Sequence, residues 1–147
     1  MKSAGAAKPH VTYRNLPADM KKIIELKQVY KAYPQAGAPQ TVLHDINLAI
    51  FPGEFVAIVG PSGNGKSTLL NLLTGIDHPS RGQVIVNGAA LRELSNEKLT
   101  RWRGANVGIV FQFFQLLPTL NLLQNTVLPK EFLGKLHKRQ RRERAMH

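Results

Sequence analysis

Eight consecutive residues carry the sharpest chemistry in this chain. Gly60-Pro61-Ser62-Gly63-Asn64-Gly65-Lys66-Ser67 follows the pattern G-x-x-x-x-G-K-[ST]. A phosphate group is held well when successive backbone N–H groups curl inward around it, and that curl demands positive φ or close approach at several positions. Gly63 and Gly65 supply these conformations without a Cβ penalty. A helix opening near Gly65 adds its unpaired first amides and the positive end of its dipole. Lys66 brings an ammonium to the β- and γ-phosphates, and the Ser67 hydroxyl is placed to ligate Mg²⁺. Gly60, Ser62, Asn64 and Thr68 complete the candidate cradle. The ligand this spacing implies is a nucleoside triphosphate.

The context that confirms such a loop is a buried strand before it and a helix after it. Phe55-Val56-Ala57-Ile58-Val59 is a continuous apolar run bounded by turn residues, which predicts a strand buried on both faces. Beyond the loop, Leu69, Leu70, Leu72 and Leu73 predict one apolar helical face, with Gly75 as its stop. Upstream, Ile24, Leu26 and Gln28 alternate with Glu25 and Lys27, and Val29 follows. Val42 to Phe51 alternates again, after a loop marked by Pro34, Gly37 and Pro39. Residues 82–86 predict a further strand turning at Asn87-Gly88. A polar helix is expected from Ser95, its N-cap, to Arg103, then a strand over 107–111, then helix after Pro118. The mixed order of strands and helices predicts an α/β or α+β layered domain. Residues 1–22, with Pro9, Pro17 and Gly5 and no sustained periodicity, are expected to form a flexible leader.

Composition narrows the class further. The chain has 147 residues, 20 Lys+Arg against 9 Asp+Glu for a net charge of +11, and no cysteine. Such a length suits one domain with a real core. The absence of cysteine excludes a disulfide framework and a thiolate metal site. No apolar stretch reaches the ~18 residues of a membrane span, and no apolar run near the N-terminus suggests a secretory signal. A soluble cytosolic domain is therefore expected. From Lys130 to His147, seven basic residues face only Glu131 and Glu143, so the excess charge gathers in a basic tail. Lys138-Arg139-Gln140-Arg141-Arg142-Glu143-Arg144 suits either the solvated face of a helix or a contact with nucleic acid or anionic lipid. No aromatic residue interleaves with it to stack on bases, and the helical face is the favoured reading.

From about Ile23 onward the chain resembles the ATP-binding cassette (ABC) transporter ATPases. Ordered segments carry the resemblance: Lys31-Ala32-Tyr33; Gly53-Glu54-Phe55-Val56-Ala57-Ile58-Val59 leading into the P-loop; Ser80-Arg81-Gly82-Gln83-Val84; Asn87-Gly88; and Val107-Gly108-Ile109-Val110-Phe111-Gln112. Phe111-Gln112-Phe113-Phe114-Gln115-Leu116-Leu117-Pro118-Thr119-Leu120, with Leu128-Pro129, is most similar to the lipoprotein-releasing and macrolide-export type. The resemblance implies an α/β P-loop NTPase of ABC type: an N-terminal antiparallel β subdomain, a P-loop core and the start of a helical subdomain near residue 112. It implies ATP and Mg²⁺ as cofactors, Tyr33 as a platform stacking on adenine, and Gln112 beside Ser67 as a ligand of Mg²⁺. It also implies a membrane-spanning permease and a second ATP-binding subunit as partners, at the cytoplasmic face of the cell membrane. Nucleic acid is not an expected partner on this reading.

Bland readings stand beside these roles. Tyr33 also suits simple packing at a sheet edge, and Gln112 the polar end of a strand. The Phe113, Phe114, Leu116 and Leu117 cluster fits a permease-facing patch and a core segment equally well. Part of the family's equipment is missing from the 147 residues. Asp19, Asp45 and Asp77 are the only aspartates, and none ends an apolar strand as a Walker B residue would. No LSGGQ segment is present, Leu94-Ser95-Asn96-Glu97 only beginning like one, and neither His137 nor His147 follows a strand. The expectation is an incomplete cassette, 23–147, lacking its C-terminal half, that binds ATP without hydrolysing it alone. A missing Walker B strand leaves an apolar sheet edge unpaired, so poor solubility is expected. The alternative from another class is a non-catalytic P-loop remnant whose basic tail binds nucleic acid. A P-loop GTPase or small-molecule kinase ranks last, since no N-K-x-D segment for guanine is present and the Tyr33 and Gln112 contexts would go unexplained.

Overall fold

The computed structural model describes residues 20–111 and 116–132, and of residues 129–132 only the backbone. The expected leader, Gln112–Gln115 and the basic tail beyond Phe132 fall outside the described residues, except for Met20 to Lys22. The chain divides into two compact units, one ending at Leu99 and one beginning at Thr100.

In the first unit, β1 (Ile24–Tyr33) and β2 (Gln40–Ile50) pair antiparallel, as the two alternating runs predict. β3 (Arg81–Val86) pairs with the other edge of β1, and a two-residue β4 (Ala89–Ala90) pairs with β3, giving the order β2-β1-β3-β4. Asn87 and Gly88 turn β3 into β4 with φ of 48° and 77°. Both central residues thus hold the left-handed conformation of the expected two-residue hairpin. Helix α1 (Lys66–Leu73) follows the glycine-rich loop. Its end is a full left-handed stop: Gly75, at φ 67°, donates to the Leu72 carbonyl, and Ile76 donates to that of Asn71. A 3-10 turn (Leu91–Glu93) leads toward α2 (Asn96–Asn106). The Lys98 amide donates to Ser95 Oγ, which makes Ser95 the expected cap.

One core holds these pieces together. Leu26, Val29, Leu43, Ile46, Val84 and Val86 of the sheet are buried with Leu69, Leu72 and Leu73 of α1, and with Leu91 and Leu99. Leu70 is a correction to the predicted face: it points to solvent, half exposed, because only positions 69, 72 and 73 lie on the sheet side of so short a helix. Along β1 the burial phase slips, from Leu26 to Val29 rather than to Gln28. Gln28 is a bulge residue at φ 46°, and its amide is satisfied by Asn47 Oδ1 at 2.9 Å instead of by a ladder bond. The bulge is what brings Val29 back into the core.

Two expected strands are absent. Residues 55–59 form no strand, and Phe55 is 97% and Val59 86% exposed. Residues 107–111 likewise form none, with Val110 fully exposed. The physical reason is pairing. A central strand exists only where neighbours take up its N–H and C=O groups, and every strand among the described residues belongs to the β2-β1-β3-β4 sheet. The apolar runs therefore lie open. We expect this protein to bind a hydrophobic dye and to run as aggregates in gel filtration, since exposed apolar backbone of this kind templates association. A sharp monomeric peak at high concentration would overturn that expectation.

In the second unit, α3 (Leu122–Phe132) begins with a reciprocal cap: the Gln124 amide donates to Asn121 Oδ1 and the Asn121 amide to Gln124 Oε1, each at 2.9 Å. Asn125 ties the preceding turn to the helix, accepting from the Leu117 amide and donating to the Leu120 carbonyl. Leu116 and Leu117 are exposed. No helix among the described residues is long and apolar enough to cross a membrane.

Candidate functional site

The loop between residues 60 and 66 is curled. Gly60, Gly63 and Gly65 take φ of 152°, 81° and 78°, all in the range that side chains avoid. The Asn64 amide donates to the Pro61 carbonyl and tightens the turn. Lys66 then folds back across the loop. Its ammonium donates to the carbonyls of Gly60 at 2.8 Å and Pro61 at 2.7 Å. Residues six apart in sequence are thereby drawn into a ring.

Each element has a physical reason for its place. Gly65 packs against β2 so closely that a Cβ there would lie 2.9 Å from Leu43 Cδ2 and 3.0 Å from Val42 Cγ1. The same residue is the N-cap of α1, and no side chain caps the first amides. No acidic residue lies in that first turn. Unpaired N–H groups, the helix dipole and an ammonium thus converge where an anion would lie, with no carboxylate in the first turn to compete. Ser67 is exposed on the first turn, and Thr68 is half-buried beside it. The donor set fits a triphosphate.

Tyr33 ends β1, paired with Gln40, and is 36% exposed. Its hydroxyl donates to Asp77 Oδ2 at 2.8 Å. The other oxygen of Asp77 accepts from Lys31 Nζ at 2.6 Å and from the His78 amide at 2.7 Å. Lys31 Nζ also donates to the His78 carbonyl and lies 4.8 Å from the Tyr33 ring centroid. Burial pushes the Asp77 carboxyl up, but the hydrogen bonds from Lys31, Tyr33 and His78, with the Lys31 charge, outweigh it and hold the group below the usual aspartate range.

In the sequence Asp77 stands out only as an aspartate that ends no apolar strand, and Lys31 only by its place beside Tyr33. A signal existed for Lys31: it stands two residues after the buried Val29, on the inward phase of the strand, and a lysine that is 9% exposed requires a partner. The structure brings Gly60, Ser62, Gly63, Asn64, Gly65, Lys66, Ser67 and Thr68 together as one loop and helix start. Gln112, the second expected Mg²⁺ ligand, lies outside the described residues.

Comparison with known proteins follows the same outline. The ABC transporter family profile matches residues 43–147. The chain is 43% identical over 113 residues to the lipoprotein-releasing system ATP-binding protein LolD of Idiomarina loihiensis, covering 77% of this chain and 50% of that protein. It is 42% identical over 124 residues to the macrolide export ATP-binding/permease protein MacB of Burkholderia pseudomallei, covering 84% of this chain and 19% of that protein. Among solved structures, it superimposes with a TM-score of 0.79 and 40% identity on the dimeric post-hydrolysis state of the ATP-binding cassette MJ0796 bound to ADP and Pi, covering 84% of this chain and 54% of that one. The chain spans about half the length of LolD-type relatives and of that cassette.

Proposed function

The chain belongs to the ABC transporter family, and from that premise we propose that it is the ATP-binding part of a transporter subunit of the lipoprotein-releasing and macrolide-export type. The observation that supports this most is the ring that Lys66 closes over Gly60 and Pro61, with the uncapped amides of α1 beside it. On this reading the loop amides hold the β-phosphate, and Lys66 swings from its two carbonyls to neutralise β- and γ-oxygens. Ser67 and Gln112 offer oxygen ligands to Mg²⁺, which when bound spreads the triphosphate charge. Tyr33 gives the adenine an apolar, π-faced platform. A permease and a second ATP-binding subunit are the partners this role requires, at the cytoplasmic side of a membrane.

Binding and turnover separate within these 147 residues. None of the carboxylates after Lys66 (Asp77, Glu93, Glu97, Glu131 and Glu143) ends an apolar strand where a general base for water would stand, so on this reading the 147 residues hold ATP without hydrolysing it. Titration with a fluorescent ATP analogue tests the reading. Saturable binding displaced by ATP, with little salt dependence and no phosphate release, is expected. Absence of nucleotide binding together with salt-steep binding to an oligonucleotide would overturn it, because counterion release marks a nucleic-acid partner.

A further inference from the structure

We infer that Asp77 is a positioning residue for nucleotide binding: it fixes the Tyr33 ring so that one face is presented to the base. The inference rests on the platform reading of Tyr33 given above and adds the group that sets the platform's orientation. A tyrosine at an exposed strand end turns freely about two torsions, and a base that stacks on it must first arrest that motion. Here the arrest is built in. The phenol donates to Asp77 Oδ2 at 2.8 Å, and Asp77 is itself locked by Lys31 at 2.6 Å and by the His78 amide at 2.7 Å. The Lys31 ammonium, 4.8 Å from the ring centroid, lies over the ring. The inference assigns the base to the opposite face of this ring, which is 36% exposed.

The placement ties base to phosphate through one short helix. α1 starts in the glycine-rich loop and ends in the stop at Gly75. Immediately after that stop the Ile76 and Asp77 amides both donate to the Asn71 carbonyl, at 2.9 and 3.1 Å, which fixes where Asp77 stands. On the other side, Val42 and Leu43 of β2 touch the Gly65 position, and Leu43 is the register partner of Lys31. Tyr33 is two residues further along the same strand. The loop and the ring are therefore held by the same pair of strands and the same helix, although Asp77 has no place in the phosphate cradle.

The experiment compares affinity for ATP with affinity for inorganic tripolyphosphate, by calorimetry on the whole chain. Tyr33→Phe keeps the ring, the Asp77–Lys31 pair and the packing, and removes one hydroxyl. It is expected to weaken ATP binding about three- to tenfold, the entropic cost of arresting one side chain on binding, and to leave tripolyphosphate unchanged. Because Asp77→Ala alone strands the Lys31 charge and endangers folding, the carboxylate is tested in a Lys31→Met background. Lys31→Met with Asp77→Asn retains an oxygen for the phenol and is expected to keep most of the preference for ATP over tripolyphosphate. Lys31→Met with Asp77→Ala is expected to lose it. If Tyr33→Ala costs ATP affinity while Tyr33→Phe and the Asp77→Ala pair do not, the positioning role is overturned and the platform stands. If Tyr33→Ala changes nothing, the platform reading fails and takes this inference with it.

Discussion

Lys66→Ala is expected to lower affinity for ATP by roughly 30- to 150-fold, the value of a charge-assisted hydrogen bond of about 2–3 kcal/mol. What is lost is the ammonium that, on the proposed reading, leaves the Gly60 and Pro61 carbonyls it engages at 2.8 and 2.7 Å to meet the phosphate oxygens. Lys66 is the first residue of α1, and alanine is the best helix former, so helix content should stay unchanged by circular dichroism. Lys66→Met separates the apolar stem from the charge and should match alanine. Lys66→Arg should restore charge without restoring full affinity, since the planar fork does not reproduce a compact ammonium. Nucleotide titration of the three variants decides it. Unchanged affinity in Lys66→Ala would remove this lysine from the site.

The second large effect is on stability, at Gly82. This glycine opens β3 at φ 89°, and a Cβ there would lie 2.1 Å from the Gln28 carbonyl oxygen, 2.6 Å from its carbon and 2.6 Å from the Lys27 oxygen. All three are backbone atoms, so no rotamer change relieves the clash. The site coincides with the bulge in β1, where pairing with β3 jumps from Lys27–Gln83 to Tyr30–Arg81. Gly82→Ala must therefore push β1 and β3 apart at the middle of the sheet, exposing part of the core that Val29 and Val84 fill. We expect a loss of more than about 3 kcal/mol, or a fall in Tm of about 6–12 °C or more. Gly88→Ala is the control. It carries similar strain at φ 77° but meets nothing within 4 Å, and should lose only about 1–2 kcal/mol. Thermal or urea unfolding of both variants compares clash with strain. Equal losses would mean that β1 and β3 do not approach this closely.

The two predictions separate what sequence shows well from what it shows poorly. Lys66 is legible because the motif fixes its neighbours: glycines that take positive φ, and a helix directly after. Gly82 is not, because its constraint comes from Gln28, 54 positions earlier in the chain. The bulge at Gln28 was equally hidden. Alternation through Ile24, Leu26 and Gln28 gives no sign that an Asn47 side chain will replace a ladder bond and shift Val29 inward. In the same way the apolar run 55–59 has the composition of a buried strand, yet it is exposed. Composition expresses a preference for burial, whereas burial itself depends on a second strand being there to accept the hydrogen bonds.

Local chemistry, then, was written in the order of residues: the curled loop at 60–66, the start of α1 and its stop at Gly75, the Asn87-Gly88 turn and the cap at Ser95 all follow from neighbours a few positions apart. Only the folded chain decided which segments met. It set the Lys31–Asp77–Tyr33 cluster, whose members are separated by 46 and 44 residues, and the tight crossing at Gly82. The physical reason is range. Torsional preference and capping act over one or two turns of backbone, while ion pairing and steric exclusion act through space between segments whose encounter no local pattern encodes.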